Sequence, residues 1–188
     1  FYETDPSRDF FRGYSLQVVR GSGPVQSALG GLARNMAPWG LNHHRVFRER
    51  YNHEITLAIS GEDLPEKENR VVLDTSLTDR FGIPAPKVIY RLSDNSKKLM
   101  NHAISKGTEV LKAAGAKYVL THPLLRASGW HLLGTARMGS NPETSVVNQW
   151  GQSHDVKNMF IIDGSVFVTS AAIAPTSTIQ ALALRIAD

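Results

Sequence analysis

Two stretches of this sequence carry side chains suited to chemistry. The first is Gly129-Trp130-His131-Leu132-Leu133-Gly134-Thr135-Ala136-Arg137-Met138-Gly139, where His131 is a lone imidazole among apolar and small neighbours. An imidazole can exchange a proton near neutral pH. A histidine in such a setting is by default a hydrogen-bonded core group, however, and the residues alone leave both readings open. The second stretch runs from Asp163-Gly164-Ser165 through Pro175-Thr176-Ser177-Thr178-Ile179 to Asp188. Ile179, Leu182, Ala183 and Ile186 fall at the spacing of a short amphipathic helix. The start of that helix is crowded with hydroxyls, and its first backbone N–H groups carry partial positive charge. An electron-rich ligand edge placed there would be stabilised.

The elements that must position these stretches are legible in outline. Tyr14 to Val19 alternates weakly, as a short strand would, and Gly21, Gly23 and Pro24 then make a turn. Gly30-Gly31 is expected to interrupt the helix that follows. Residues 42–51 read as helical, with Val46 and Phe47 on the buried side. Ile55, Leu57 and Ile59 alternate with Thr56 and Ala58, the period of a strand with one packed face. Val71 to Leu73 and Lys87 to Tyr90 read as further strands around an Asp74–Asp79 loop, and Gly82, Pro84 and Pro86 argue against a regular element between them. A long helix follows, capped by Ser93 or Asp94 and ended by Gly115, with Leu99, Met100, Ala103, Ile104, Val110, Leu111 and Ala114 as its apolar stripe. Lys117 to Thr121 is expected to return as a strand. Met159 to Ile162 reads as a strand buried on both faces, of the kind found in parallel sheets. No second parallel strand accompanies it, so it calls for a sheet this chain does not contain. The fold class is therefore α+β, a mostly antiparallel sheet with helices, followed by a C-terminal strand–helix segment.

Bulk properties narrow the function. With 188 residues, 41% hydrophobic and 20% charged, the chain can bury a real core in one or two domains. A net charge of +4, from 21 basic and 17 acidic residues spread along the chain, gives no basic run interleaved with aromatics and argues against a nucleic-acid partner. Cysteine is absent, which excludes disulfides, iron–sulfur clusters and thiol nucleophiles but not any compartment. No apolar run is long enough to span a membrane. The sequence opens at Phe1 without a methionine, so its start is expected to be a cut. His43, His44 and His53 make a poor metal set, because adjacent histidines point apart on a helix and no acidic ligand is usefully spaced. Ser165 and Ser170 lack a nucleophile-elbow context. Trp39, Trp130 and Trp150 could line a sugar site, although core or rim packing is the default for such rings.

The order His-x-x-Gly-Thr-x-Arg-Met-Gly from His131, then Ser145-Val146-Val147, His154-Asp155-Val156, Ile162-Asp163-Gly164-Ser165 and the Pro175-Thr176-x-Thr178 helix start resembles the C-terminal end of the glucose–methanol–choline (GMC) oxidoreductases. Phe1-Tyr2-Glu3-Thr4-Asp5, Trp39-Gly40 with His43-His44, and Gly61-Glu62-Asp63-Leu64-Pro65 resemble the gluconate- and choline-dehydrogenase-like branch. The resemblance covers nearly the whole chain, and its last sixty or so residues are the specific part. It implies a substrate-binding domain over residues 1–130. Residues 131–188 would then carry the active-site motif and the closing segment of an FAD domain. It further implies oxidation of an alcohol (a sugar, polyol or sugar acid), with His131 taking the hydroxyl proton while a hydride passes to FAD. Asp163 and Gly164 would meet the ribityl–phosphate region of the flavin, and the Pro175-Thr176 helix start its pyrimidine edge. Two departures matter. The family places histidine or asparagine before Pro175, where this chain has Ala174; Thr176, Ser177 or Asn148 could substitute, or the protein is impaired or altered in substrate. The Gly-x-Gly-x-x-Gly fingerprint for the FAD pyrophosphate is absent. FAD binding is therefore expected to need an N-terminal segment or second chain, and this polypeptide alone is expected to be inactive. The rival expectation is a non-catalytic relative or an isolated binding or assembly fragment.

Overall fold

A computed structural model describes residues 5–21, 23–33, 37–122, 124, 129 and 131–187. Phe1 to Thr4 and Trp130, which the sequence motifs include, lie outside the described residues. Two compact units are present: Phe1–Ser15 with Ser60–Asp188, and Leu16–Ile59. The fold class is α+β, with four helices and four strands among the described residues.

Strand β1 (Tyr14–Arg20) pairs with β2 (Ile55–Gly61), and helices α1 (Pro24–Ala33) and α2 (His43–Arg50) connect them; the smaller unit holds both helices and most of both strands, while Tyr14, Ser15, Ser60 and Gly61 belong to the larger unit. Pro24 opens α1, where its fixed φ suits the first helical position and its missing N–H is no loss. The backbone of α1 runs through Gly30-Gly31 instead of breaking there. A glycine inside a helix costs about 1 kcal/mol, which weakens a helix without forbidding it. On α2, His43 stacks on Phe47 and Phe47 on Tyr51, one helical turn apart each time. The His43 ring also meets the Pro38 carbonyl at 3.2 Å through Nδ1. Trp39, 86% exposed, is no core residue.

The larger unit is organised by β3 (Arg70–Thr78), β4 (Pro84–Ile89), α3 (Asp94–Ala113) and α4 (Thr176–Ala187). Strands β3 and β4 form an antiparallel hairpin, both longer than the sequence indicates. The expected Asp74 loop is an irregularity inside β3, between Leu73 and Thr78. The Asp74 carboxylate accepts from the backbone N–H of Ser76 and Leu77 and from the Ser76 hydroxyl, and these bonds hold its pKa below the usual value. Pro84 and Pro86 belong to β4 after all. They share parity, so both missing donors fall on one edge of the strand. Ile83, of the opposite parity, turns its carbonyl toward Asp79 of the partner side. Prolines are tolerated on an edge arranged in this way.

Helix α3 starts and stops where the sequence says. The Ser93 side chain caps the Ser96 N–H at 3.1 Å, and Gly115 takes φ +88° while Ala116 N–H reaches back to the Leu111 carbonyl. That is the Schellman closure, which requires a left-handed residue. Its buried stripe is Ser96, Leu99, Ala103 and Gly107, with Val110 exposed. Leu99 lies against Gly61, where a Cβ would come within 2.6 Å of its Cδ2. Beside them, the fully buried Tyr14 meets His102 Nδ1 at 2.9 Å through its hydroxyl. Burial raises the Tyr14 phenol and lowers the His102 imidazole, so both are neutral around pH 7. The Asp63 carboxylate accepts from Tyr90 (2.6 Å) and from Ser96, tying the end of the hairpin to the first turn of α3.

Two expected strands do not form. Residues 117–121 have no ladder partner among the described residues. Residues 159–162 are extended with a single bridge, Phe160 to Gln152, and Met159, Phe160 and Ile162 are exposed. A strand needs a neighbour for its backbone groups, and an apolar run left without one stays a loop. No helix among the described residues is long and apolar enough to cross a membrane.

Candidate active site

The last sixty residues contain little regular structure, and backbone hydrogen bonds hold them in register. Ala136 N–H donates to the Ser165 carbonyl (3.0 Å) and Met138 N–H to that of Val166 (2.8 Å). Gly139 N–H donates to the Val147 carbonyl, and Val146 N–H to that of Arg137. The fully buried Val147 sits at the centre, bridged to Met138 on one side and Ser153 on the other. His154 fastens the loop between them: its Nε2 lies 3.0 Å from Ser145 Oγ and 3.1 Å from the Gly139 carbonyl. The quoted Ser145 and His154 motifs are thus parts of one fastening.

Gly164 is where the two chemistry-bearing stretches meet. It opens a single 3₁₀ turn, Gly164–Val166, capped by Asp163, whose carboxylate accepts from Ser165 N–H at 2.8 Å. The Ser165 hydroxyl and N–H hold the Asp163 pKa below its ordinary value, so this exposed group is an anion at neutral pH. A Cβ on Gly164 would come within 2.9 Å of Leu133 Cδ2, 3.6 Å of the Leu132 carbonyl and 3.5 Å of Ile179 Cδ1. The residues just after His131 and the first turn of α4 therefore close on the same glycine. His131 itself is exposed rather than sealed in the core.

Helix α4 begins at Thr176, with Ile179 N–H making the first turn onto the Pro175 carbonyl. Thr176, Ser177 and Thr178 are exposed, and Ile179, Leu182, Ala183 and Ile186 form the half-buried stripe the spacing indicates. The far end of that stripe is fixed by Gly151 (φ +65°), where a Cβ would meet Ile186 Cδ1 at 2.9 Å. Arg185 lies over the Trp150 ring at 4.7 Å. Ala174 is exposed just before the helix. Of its possible substitutes, Asn148 is committed elsewhere: it accepts from Trp150 and Gln152 N–H and faces the Gln152 amide. Thr176 and Ser177 stay at the helix start. An exposed N-terminal turn with hydroxyls beside it is a donor set suited to an electron-rich edge.

Sequence reasoning misses two side chains that bear on this region. The Glu62 carboxylate accepts from Ser170 N–H at 3.2 Å, and the Ser15 hydroxyl donates to the Ala172 carbonyl at 3.1 Å. These contacts bridge 108 and 157 residues of sequence. Local pattern cannot reveal such pairings. The one available signal is that Glu62 lies in the quoted Gly61–Pro65 motif.

Comparison with known proteins identifies the family. The family model for the GMC oxidoreductase C-terminal region matches residues 65–183. The chain is 42% identical, over its full length, to 2-methyl-1,2-propanediol dehydrogenase from Mycolicibacterium austroafricanum, of which it covers 34%. It is 29% identical over 96% of its length to the fructose dehydrogenase large subunit of Gluconobacter japonicus, of which it covers 33%. The chain thus spans about a third of the length of these relatives. Among solved structures, pyridoxine 4-oxidase from Mesorbium loti is similar in fold, with a TM-score of 0.54 over 73% of this chain and 30% of that one at 16% identity. With its motif order, fold and family match in agreement, the chain belongs to the GMC oxidoreductases.

Proposed function

We propose that this chain is the substrate-side and site-closing part of an FAD-dependent alcohol dehydrogenase or oxidase of the gluconate- and choline-dehydrogenase-like branch. Its substrate is a small polyhydroxylated alcohol, a sugar, polyol or sugar acid. The relatives' names, a 2-methyl-1,2-propanediol dehydrogenase and a fructose dehydrogenase, fit that class. Residues 1–130 serve as the substrate domain and 131–188 close the flavin site. The FAD pyrophosphate is gripped by an N-terminal segment or chain that carries the glycine fingerprint.

The observation that carries this reading is the convergence on Gly164. Leu132 and Leu133, next to the exposed His131, and Ile179 in the first turn of α4 meet at one glycine beside an ionised Asp163. His131 takes the proton from the substrate hydroxyl on its imidazole nitrogen, leaving an alkoxide-like carbon from which hydride departs readily. Bound flavin supplies the hydride acceptor. Asp163 and Gly164 would hold its ribityl–phosphate region. The turn that follows Pro175 would offer the backbone N–H groups of Thr176, Ser177 and Thr178 to the pyrimidine edge of a bound flavin, where their partial positive charge would favour electron-rich character. The substrate loses two electrons and two hydrogens and leaves as a carbonyl compound.

Ala174 favours a second reading, a non-catalytic relative, because alanine offers no hydrogen bond where the family has histidine or asparagine. One experiment separates the two. The flavoprotein containing this segment is mixed anaerobically with sugars and polyols, and its flavin absorbance is followed in wild type and Ala174→Asn. Bleaching of the wild type is expected, with faster turnover in the variant, since one positioned donor is worth on the order of 10²-fold in rate. A flavin that no polyol or sugar bleaches in either protein speaks for the second reading.

A further inference from the structure

The segment entering α4 is held at two points by side chains from far away in the sequence. Glu62 is 6% exposed and Ser15 8% exposed; the Ser15 contact to the Ala172 carbonyl is buried and the Glu62 contact to Ser170 N–H is half-buried. Arg12 approaches the same Glu62 oxygen at 3.6 Å and offsets its charge. Between the two anchors the backbone turns sharply: Ala172 is buried with φ +54°, a left-handed conformation that an alanine adopts only when its surroundings impose it. Two residues later comes Ala174, and then Pro175 and the first turn of α4. A neutral acceptor could bond an amide N–H. A buried carboxylate with an arginine beside it is the more demanding solution, because the cost of desolvating the charge has to be offset.

We infer that Glu62 and Ser15 are positioning residues that clamp the strained 170–172 turn and so fix where Ala174 and the α4 N-terminus stand at the redox face. The inference rests on the oxidoreductase reading above. It adds residues that touch neither substrate nor flavin and act through the turn they hold.

The test uses the flavoprotein containing this segment, with Glu62→Ala, Glu62→Gln, Ala172→Gly and, as a surface control, Glu68→Gln. The limiting rate of anaerobic flavin reduction is read per bound flavin, alongside kcat, KM, Tm and amide exchange over residues 168–176. Glu62→Ala is expected to lower the limiting rate about tenfold or more, since small misplacements at a reacting centre cost up to about 10²-fold, while KM moves much less. Glu62→Gln, which keeps an acceptor, is expected to recover most of that loss. Ala172→Gly is expected to slow reduction without lowering Tm, because it relieves strain while freeing the turn. A Glu62→Ala protein that reduces at the wild-type rate per bound flavin overturns the inference, as does a loss that glutamine fails to rescue. Should wild type itself resist bleaching, the functional reading fails separately, and the exchange data still decide the clamp. Faster exchange over 168–176 in Glu62→Ala upholds it; unchanged exchange removes it.

Discussion

His131 and Asp163 illustrate how differently two polar side chains can be committed. His131 is exposed, and the backbone around it is held through Leu132 and Leu133 against Gly164, so the ring is placed by its neighbours rather than by its own packing. If it is the base, His131→Gln in the flavoprotein should slow flavin reduction by roughly 10²–10⁴-fold with flavin content unchanged. Stopped-flow absorbance would register this, and a rate within twofold of wild type would remove the residue from the mechanism. Asp163 is committed to its own turn. Bonds from Ser165 depress its pKa in the folded state, so the stabilisation it gives is present above the unfolded carboxylate value of about 3.9 and lost as pH falls through the lower folded value. The stability gap between wild type and Asp163→Asn should therefore be constant near neutrality and narrow as the pH drops below about 4. Denaturant titrations at a series of pH values would detect it.

At the scale of elements, glycines decide how the pieces meet. Gly151 and Gly115 both have positive φ, yet a Cβ at Gly151 would lie 2.7 Å from the Ile161 carbonyl, whereas one at Gly115 would meet nothing within 4 Å. Alanine at Gly115 should thus cost about 1–2 kcal/mol, the backbone term alone. At Gly151 a clash with rigid backbone is added, for a total of about 3 kcal/mol or more. Urea titration of the two variants should rank them in that order, and equal losses would show that the loop yields easily. Helices were the legible part of this molecule. The Ser93 cap, the Gly115 stop and the α4 stripe depend on local chemistry, and each stands where the sequence puts it. Strands were less legible, because a strand exists only with its partner. Lys117–Thr121 and Met159–Ile162 have strand composition without a ladder, while Pro84 and Pro86 sit in a strand because one edge of the hairpin is free. The candidate site divides in the same way. His131, Asp163 and the α4 start stand out through the motif order that resembles the GMC oxidoreductases, and their roles are proposals. Glu62 and Ser15 act across more than a hundred residues, a distance over which sequence carries no local signal.

For the whole molecule, the deciding fact is proportion. The chain covers about a third of each relative described above, and the glycine fingerprint that holds a dinucleotide pyrophosphate is absent from it. On the proposed reading, what it would offer a flavin is one helix start, one glycine turn and an ionised Asp163. A carboxylate near a phosphate-bearing ligand is unfavourable unless other groups neutralise the phosphates, and helix-terminus attraction amounts to only about 0.3–1 kcal/mol at an exposed site. Apolar side chains such as Met159, Phe160 and Ile162 are also left in water by this chain alone. The balance predicts that the isolated polypeptide binds FAD more weakly than about 10 μM, on the order of 7 kcal/mol. On the proposed reading, a flavoprotein in which this chain is joined by a segment carrying the glycine fingerprint should retain the flavin through gel filtration. Flavin fluorescence titration of the isolated chain measures the first quantity. Saturation well below micromolar FAD would mean that these residues hold the cofactor unaided, and would remove the need for a segment carrying the glycine fingerprint.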